Sequence, residues 1–177
     1  MQNTSVFSTP EQILNQLQID ENMVVADFGC GSGFFAIPMA KKVTDGIVYA
    51  LDVIKDSLEA VESKAKLEGI SNIKTIHCNL EILGSSKLGD ESVNLVLTRN
   101  ILFQSQKKVE VLKEARRVLK SKASLVLIEW VPGSPLAPKE GWLISKEQAR
   151  QLAEKEGFSL DKELDLDNQH YGLVFKK

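Results

Sequence analysis

Histidine and cysteine are nearly missing from this chain of 177 residues, which carries 2 of each. The cysteines, Cys30 and Cys78, have neither C-x-x-C spacing nor a partner cluster. A disulfide framework and a zinc site are therefore set aside, and no metal is expected. Cys78 reads as a small packing residue, because nothing near it in the sequence would lower its pKa. Long apolar runs are absent as well. No stretch approaches the roughly 18 residues of a membrane span, and the opening MQNTSVFSTPEQ lacks the basic start and apolar centre of an export signal. Neither sign of charge is in surplus: 22 Lys and Arg stand against 24 Asp and Glu, a net charge of -2. That leaves no global field to capture nucleic acid or an anionic membrane, although a local patch stays open. Together these absences point to the cytoplasm, where thiols stay reduced, and no membrane partner is expected.

What is present suits one ordinary globular unit. A hydrophobic content of 43% is enough to bury a sizeable core, and no linker, repeat or low-complexity tract divides the chain, so residues 1–177 are read as a single domain. Thr9-Pro10-Glu11-Gln12 is a helix start, with Thr9 as N-cap and Gln12 completing a capping box, and residues 1–19 are read as a short N-terminal helix or lid. A strand over 23–26, a helix over about 32–42 and a strand over 47–51 ending at Asp52 make a βαβ unit. Asp56 and Glu59 predict the cap of the next helix, and Gly69 its stop. Strands are expected at 73–77, 93–98 and 124–131, with an amphipathic helix over 105–119. Ser145 and Gln148 begin a last helix, and strands at 158–164 and 171–175 flank a polar turn, which predicts a terminal hairpin. The alternation is α/β: a doubly wound sheet with helices on both faces.

The chemistry is concentrated in residues 24–33, VVADFGCGSG, where an apolar strand runs into Asp27 and then three glycines spaced two apart. Glycines at such a strand-to-helix turn let backbone pass within contact distance of a ligand. A dinucleotide fingerprint would read G-x-G-x-x-G, but the third glycine arrives one residue early and Phe34 stands where it should be. An acid at the strand end would repel a pyrophosphate and attract a ligand bearing an ammonium and a sulfonium, as S-adenosylmethionine does. Asp27 to Gly33, D-F-G-C-G-S-G, resembles motif I of the class I S-adenosylmethionine-dependent methyltransferases, and the chain is similar to their small type 11 members. The resemblance implies a Rossmann-like seven-stranded sheet, mostly parallel with a C-terminal antiparallel pair, and S-adenosylhomocysteine as the product.

It also implies roles for particular residues. Asp27, Gly29, Gly31, Gly33 and Phe34 surround the cofactor's amino acid part. Asp52 sits where a carboxylate accepts from both ribose hydroxyls, and Val53 where an apolar side chain packs on adenine. Asn79 and Leu80 take the place of the usual acid and its apolar neighbour that address the adenine amine. Here the acid is an asparagine, whose amide oxygen still accepts, and Glu81 is the acid displaced by two positions. Thr98, Arg99 and Asn100 close the fourth strand near the cofactor's methionine end. They replace the Asn-Pro-Pro-Tyr pattern of enzymes acting on exocyclic amines of bases.

No residue is assigned as the catalyst. Arg99, Asn100 and Glu129 are the candidates, and each has a structural alternative. Arg99, for example, is equally read as pairing with Glu129. Displacement at a sulfonium needs alignment more than a base. His77 precedes the adenine segment, and His170 lies in or beside the hairpin turn, read as far from the strand carboxyl ends. Seven basic residues between Lys107 and Lys122 read chiefly as a solvated helix face, with RNA contact as the alternative. A small-molecule acceptor is expected, with RNA or protein next, and a non-catalytic S-adenosylmethionine-binding partner subunit is the reading from a different class. A nicotinamide-dependent oxidoreductase would need a proton donor near the strand ends, and the sequence offers none that convinces.

Overall fold

The computed structural model describes residues 7–177. Seven strands form one sheet: β1 (Val24–Phe28), β2 (Ile47–Asp52), β3 (Ile73–His77), β4 (Val93–Arg99), β5 (Leu119–Trp130), β6 (Ser159–Leu164) and β7 (His170–Lys176). Their order across the sheet is β3-β2-β1-β4-β5-β7-β6. The first five run parallel and β7 is antiparallel to both β5 and β6, as the sequence predicts. The order reverses between β1 and β4, and a doubly wound sheet opens a crevice at the carboxyl ends of such a pair.

Strand alternation sends side chains to two cores. Val25, Leu97, Val126 and Ile128 face α1 (Pro10–Leu14), α2 (Ala36–Lys42) and α3 (Lys55–Leu67). Phe28, Leu125, Leu127, Leu173 and Phe175 face α4 (Lys108–Val118) and α5 (Lys146–Lys155). The period of two along β5 thus divides its apolar residues between the faces. A fully buried leucine such as Leu112 or Leu97 contributes about 2–3 kcal/mol through apolar burial. Asp27 shares the face of Val25, so its carboxyl enters the α2 side of the sheet and is 2% exposed.

Both expected capping boxes form, Thr9 with Gln12 on α1 and Ser145 with Gln148 on α5. Several boundaries differ from the sequence reading, and two of them, at the starts of α3 and α2, border the site. Asp56 lies inside the first turn of α3, whose N-cap is Ile54 and has no side-chain cap. α2 begins at Ala36 instead of near Ser32, because residues 29–35 are spent wrapping the crevice. Of the expected N-terminal lid, residues 1–6 lie outside the described residues. Phe7 and Ser8 lie against the hairpin end of the sheet, where the Ser8 amide donates to Asp167 at 2.9 Å. No helix among the described residues is long and apolar enough to cross a membrane.

One buried network fixes the loop between β3 and β4. Glu114 of α4, fully buried, accepts from the Gly84 amide at 2.7 Å, from Ser86 and from both arms of Arg117. Burial opposes its charge, but these hydrogen bonds prevail and hold the carboxyl down at about 2. Arg117 also bonds Asp90 and the Leu88 carbonyl, so this member of the basic run is committed internally.

Candidate functional site

A cavity of about 660 Å³ opens at the carboxyl ends of β2, β1 and β4, where the strand order reverses. Its floor is the turn that leaves β1. The amides of Gly29 and Cys30 both donate to the Leu51 carbonyl, at 2.8 and 2.9 Å, which fastens the turn to β2. At Gly29 a Cβ would lie 1.9 Å from Cδ1 of Ile101, so the side chain from beyond β4 closes over the bare backbone. Gly31 differs: φ is +49° and a Cβ would meet nothing within 4 Å, so this glycine leaves backbone open to the cavity.

Asp52 holds the turn from the other side. One oxygen accepts from the Gly31 amide at 2.9 Å and the other from the Ile54 amide at 2.9 Å. Each keeps a second lone pair for a hydroxyl. Beside it Val53 and Ile54 are 59% and 57% exposed, apolar surface at the lip of a cavity that Leu80 also lines. The Asn79 side chain accepts from the Glu81 amide, and Glu81 accepts from Ser105 Oγ at 2.6 Å, which closes the rim.

Asp27 is the electrostatic centre. Burial pushes its carboxyl up to about 7, the Ala36 amide draws it back, Asp52 raises it and Arg99 lowers it. Its Oδ2 is buried without a hydrogen-bond partner, and among the described residues only Asn100 Oδ1 shares that condition. Both residues line the cavity, from adjacent strands. Arg99 lies 4.5 Å over the ring of Phe34, and burial lowers its pKa against the pull of Asp167 and Asp27. It forms no ion pair with Glu129. That carboxylate instead accepts from the amides of Ile101, Leu102 and Phe103 at 2.9, 2.7 and 3.4 Å, capping the 3-10 turn at Leu102–Gln104. Burial still pushes Glu129 up to about 7.

The cavity thus gathers nine of the residues the sequence assigns to the cofactor: Asp27, Gly29, Gly31, Phe34, Asp52, Val53, Asn79, Leu80 and Arg99. Gly33 and Thr98 stand behind its wall. A Cβ on Gly33 would press Ile37 and Val61 at 3.1 and 3.3 Å, and Thr98 is fully buried. Ile54, Ile101 and Gln104 also line it without having been foreseen. Ile101 carried no signal, because its place over Gly29 depends on the β4 and β1 register.

S-adenosylmethionine fits this donor set. A buried acid with one oxygen unpartnered suits a cation, an exposed glycine backbone suits close approach, Asp52 suits a diol, and the bare Val53 and Ile54 suit a purine face. These features define a Rossmann-like methyltransferase site. The comparison with known proteins agrees: a family model described as a methyltransferase domain matches residues 19–171. The chain belongs to that family. It is 31% identical over 120 residues to a demethylmenaquinone methyltransferase of Geobacillus kaustophilus (strain HTA426), covering 67% of this chain and 50% of that protein. It is 34% identical over 110 residues to a probable cobalt-precorrin-6B C(15)-methyltransferase (decarboxylating) of Methanosarcina mazei, covering 60% and 58% respectively. The chain therefore spans about half the length of the demethylmenaquinone methyltransferase it matches. Its fold is that of a SAM dependent methyltransferase from Aquifex aeolicus, with a TM-score of 0.86 at 23% identity over 97% of this chain and 90% of that one.

Proposed function

We propose that the chain transfers a methyl group from S-adenosylmethionine to a small-molecule acceptor. The observation that carries this is the unpartnered Oδ2 of Asp27, buried at the wall of the carboxyl-edge cavity beside the open Gly31 backbone. When bound, the cofactor supplies a methyl on a cationic sulfur, which keeps the electron pair of the broken carbon–sulfur bond as the acceptor's lone pair takes the methyl; a proton on the acceptor passes to solvent. The protein's part is to hold, align and keep water out. Asp27 attracts positive charge, Asp52 holds the ribose and fixes the turn, and Val53, Ile54 and Leu80 give the adenine an apolar slot. Phe34 and Arg99, stacked on one another, wall the methionine end.

Three observations support a small acceptor. The cavity is concave, Arg117 of the basic run is tied to Glu114 and Asp90, and Lys120 is bonded to Asn94, so this face has fewer cations free for phosphates. The names of two relatives also point to small acceptors. Incubation with methyl-labelled S-adenosylmethionine and, separately, a small-molecule extract, total RNA and total protein tests the reading. Label in the small-molecule fraction is expected. Label in RNA or protein alone would replace the acceptor class. Cofactor binding with no label anywhere would favour a non-catalytic cofactor-binding subunit.

A further inference from the structure

Because β7 is antiparallel to β5, its first residue, His170, pairs with Trp130 at the strand's far end and so lies at the same sheet edge as the cavity. The ring is buried, stacked on Trp130 at 4.2 Å between centroids, with Phe7 5.9 Å away. Its Nδ1 is 3.0 Å from Asp167 Oδ1, and its Nε2 is 3.3 Å from Nδ2 of Asn100. Asp167 also accepts from the amides of Ser8, Gln169 and His170, at 2.9, 2.9 and 3.0 Å, and these hydrogen bonds outweigh its burial and keep it below the usual carboxylate range.

These partners dictate the protons. An ionised Asp167 only accepts, so the histidine's hydrogen belongs on Nδ1 and Nε2 is a bare acceptor. Nε2 must then take a hydrogen from Asn100, which puts the amide nitrogen toward the ring and turns the oxygen away from it. That oxygen is buried without a partner among the described residues. The backbone of Asn100 is held in the left-handed region, at φ +57°, by its own amide donating to Ile128 at 2.8 Å and its carbonyl accepting from Gln104 at 2.6 Å. Asn100 lines the cavity at the end of β4, one strand beyond Asp27 and two beyond Asp52, on the side away from the residues that suit adenine and ribose.

We propose that His170 is a positioning residue: with Asp167 it locks the Asn100 carboxamide so that the oxygen accepts an N–H or O–H of the methyl acceptor. The acceptor class is then an amine or a hydroxyl compound. What the oxygen meets rests on the methyl-transfer reading; the locking itself does not. Protonation at Nε2 would set two donors against each other, so the amide must turn over and put its NH₂, which cannot accept, where the buried oxygen stood. Among the described residues, the charged groups facing His170 are Asp167 from the turn before β7 and Arg99 from β4; Trp130, Asn100 and Phe7 are neutral. Burial lowers the imidazole's pKa, Asp167 opposes this and Arg99 adds to it, so the competent state holds at neutral pH.

Nitrogen NMR of the full chain, labelled in histidine and asparagine and recorded with and without S-adenosylhomocysteine, tests the locking. The expected result is a neutral Nδ1–H tautomer at pH 7.5, a His170 midpoint below 6.5, and an Asn100 side-chain signal that moves with the same midpoint. In Asp167→Asn the tautomers should mix. An Nε2–H tautomer, or an Asn100 signal indifferent to His170 titration, would overturn the proposal. For the acceptor role, His170→Phe should lower label incorporation into small-molecule extract by roughly tenfold, the effect of one lost hydrogen bond, with S-adenosylhomocysteine affinity within about twofold of wild type. Equal incorporation overturns that role. Failure of S-adenosylhomocysteine to bind either protein removes the methyl-transfer reading, and the acceptor role with it, whatever the tautomer.

Discussion

Replacing Asp27 by asparagine separates what the buried acid costs the fold from what it does for the ligand. The carboxyl ordinarily titrates at 3.8 and in the folded chain at about 7, chiefly because burial disfavours its charge. The native state thus keeps a proton that the unfolded chain releases. Stability is fully present below 3.8 and is lost as pH rises through 7. The difference between 3.8 and about 7 corresponds to about 4 kcal/mol lost by pH 8. The carboxamide of the variant fills nearly the same volume and never ionises. Asp27→Asn should therefore unfold at higher denaturant than wild type at pH 8, by up to that amount, with the gap narrowing to roughly 1.5 kcal/mol at pH 5 and closing only below 3.8. Ligand binding should move the other way. A cation in contact with a carboxylate gains about 4 kcal/mol at an effective dielectric constant near 20, offset in wild type by deprotonating the acid below pH 7. Wild-type affinity for S-adenosylhomocysteine, read by calorimetry, should rise about tenfold per pH unit up to 7 and then level off, with one proton released at the acid end. In Asp27→Asn it should be flat with pH and about 10- to 100-fold weaker at pH 8. A variant equally destabilised at both pH values, or one with unchanged affinity, would refute the reasoning.

Three further outcomes follow from other parts of the site and core. Asp52→Ala leaves the amides of Gly31 and Ile54 without acceptors and removes the ribose ligand, so calorimetry should show at least a roughly tenfold loss of S-adenosylhomocysteine affinity. Gly31→Ala strains a residue at φ +49° by about 1 kcal/mol and puts a methyl into the open cavity, so denaturation should show a small loss while cofactor affinity falls more than tenfold. Glu114→Gln breaks the bonds that hold its carboxyl at about 2 instead of 4.5. The sign is opposite to that of Asp27: its contribution, about 3 kcal/mol, is present above 4.5 and lost as pH falls through 2, so variant and wild type should converge in acid denaturation.

The parts of the structure legible in the sequence are those set by local periodicity and turn chemistry. β3 begins and ends where the pattern places it, and both capping boxes form, because a capping residue and its partner lie three apart. β1 and β4 each continue past their expected ends, carrying Asp27 and Arg99 into the sheet edge. Neighbouring strands supply the hydrogen bonds that keep those polar residues extended. Asp56 illustrates the opposite failure: its spacing to Glu59 suits a cap, but Asp52 already takes the Ile54 amide and the helix starts two residues earlier, with Ile54 as its N-cap. The largest gap is His170. Its position in the hairpin was readable, but its proximity to Asn100 depends on the reversal of β7 against β5, a non-local fact that places a turn residue at the carboxyl edge. The two unpartnered oxygens of Asp27 and Asn100 were equally invisible, since only packing shows which polar atoms lack a partner.

The central claim is that the carboxyl-edge cavity is the S-adenosylmethionine site of this chain. Backbone amide shift mapping on addition of S-adenosylhomocysteine tests it most directly. The largest changes are predicted at Gly29 and Gly31, at Asp52 to Ile54, at Asn79 and Leu80, and at Arg99 and Asn100, with β6 and the outer face of α5 unmoved. No shifts at saturating ligand, or shifts centred away from the β1 and β4 ends, would contradict it.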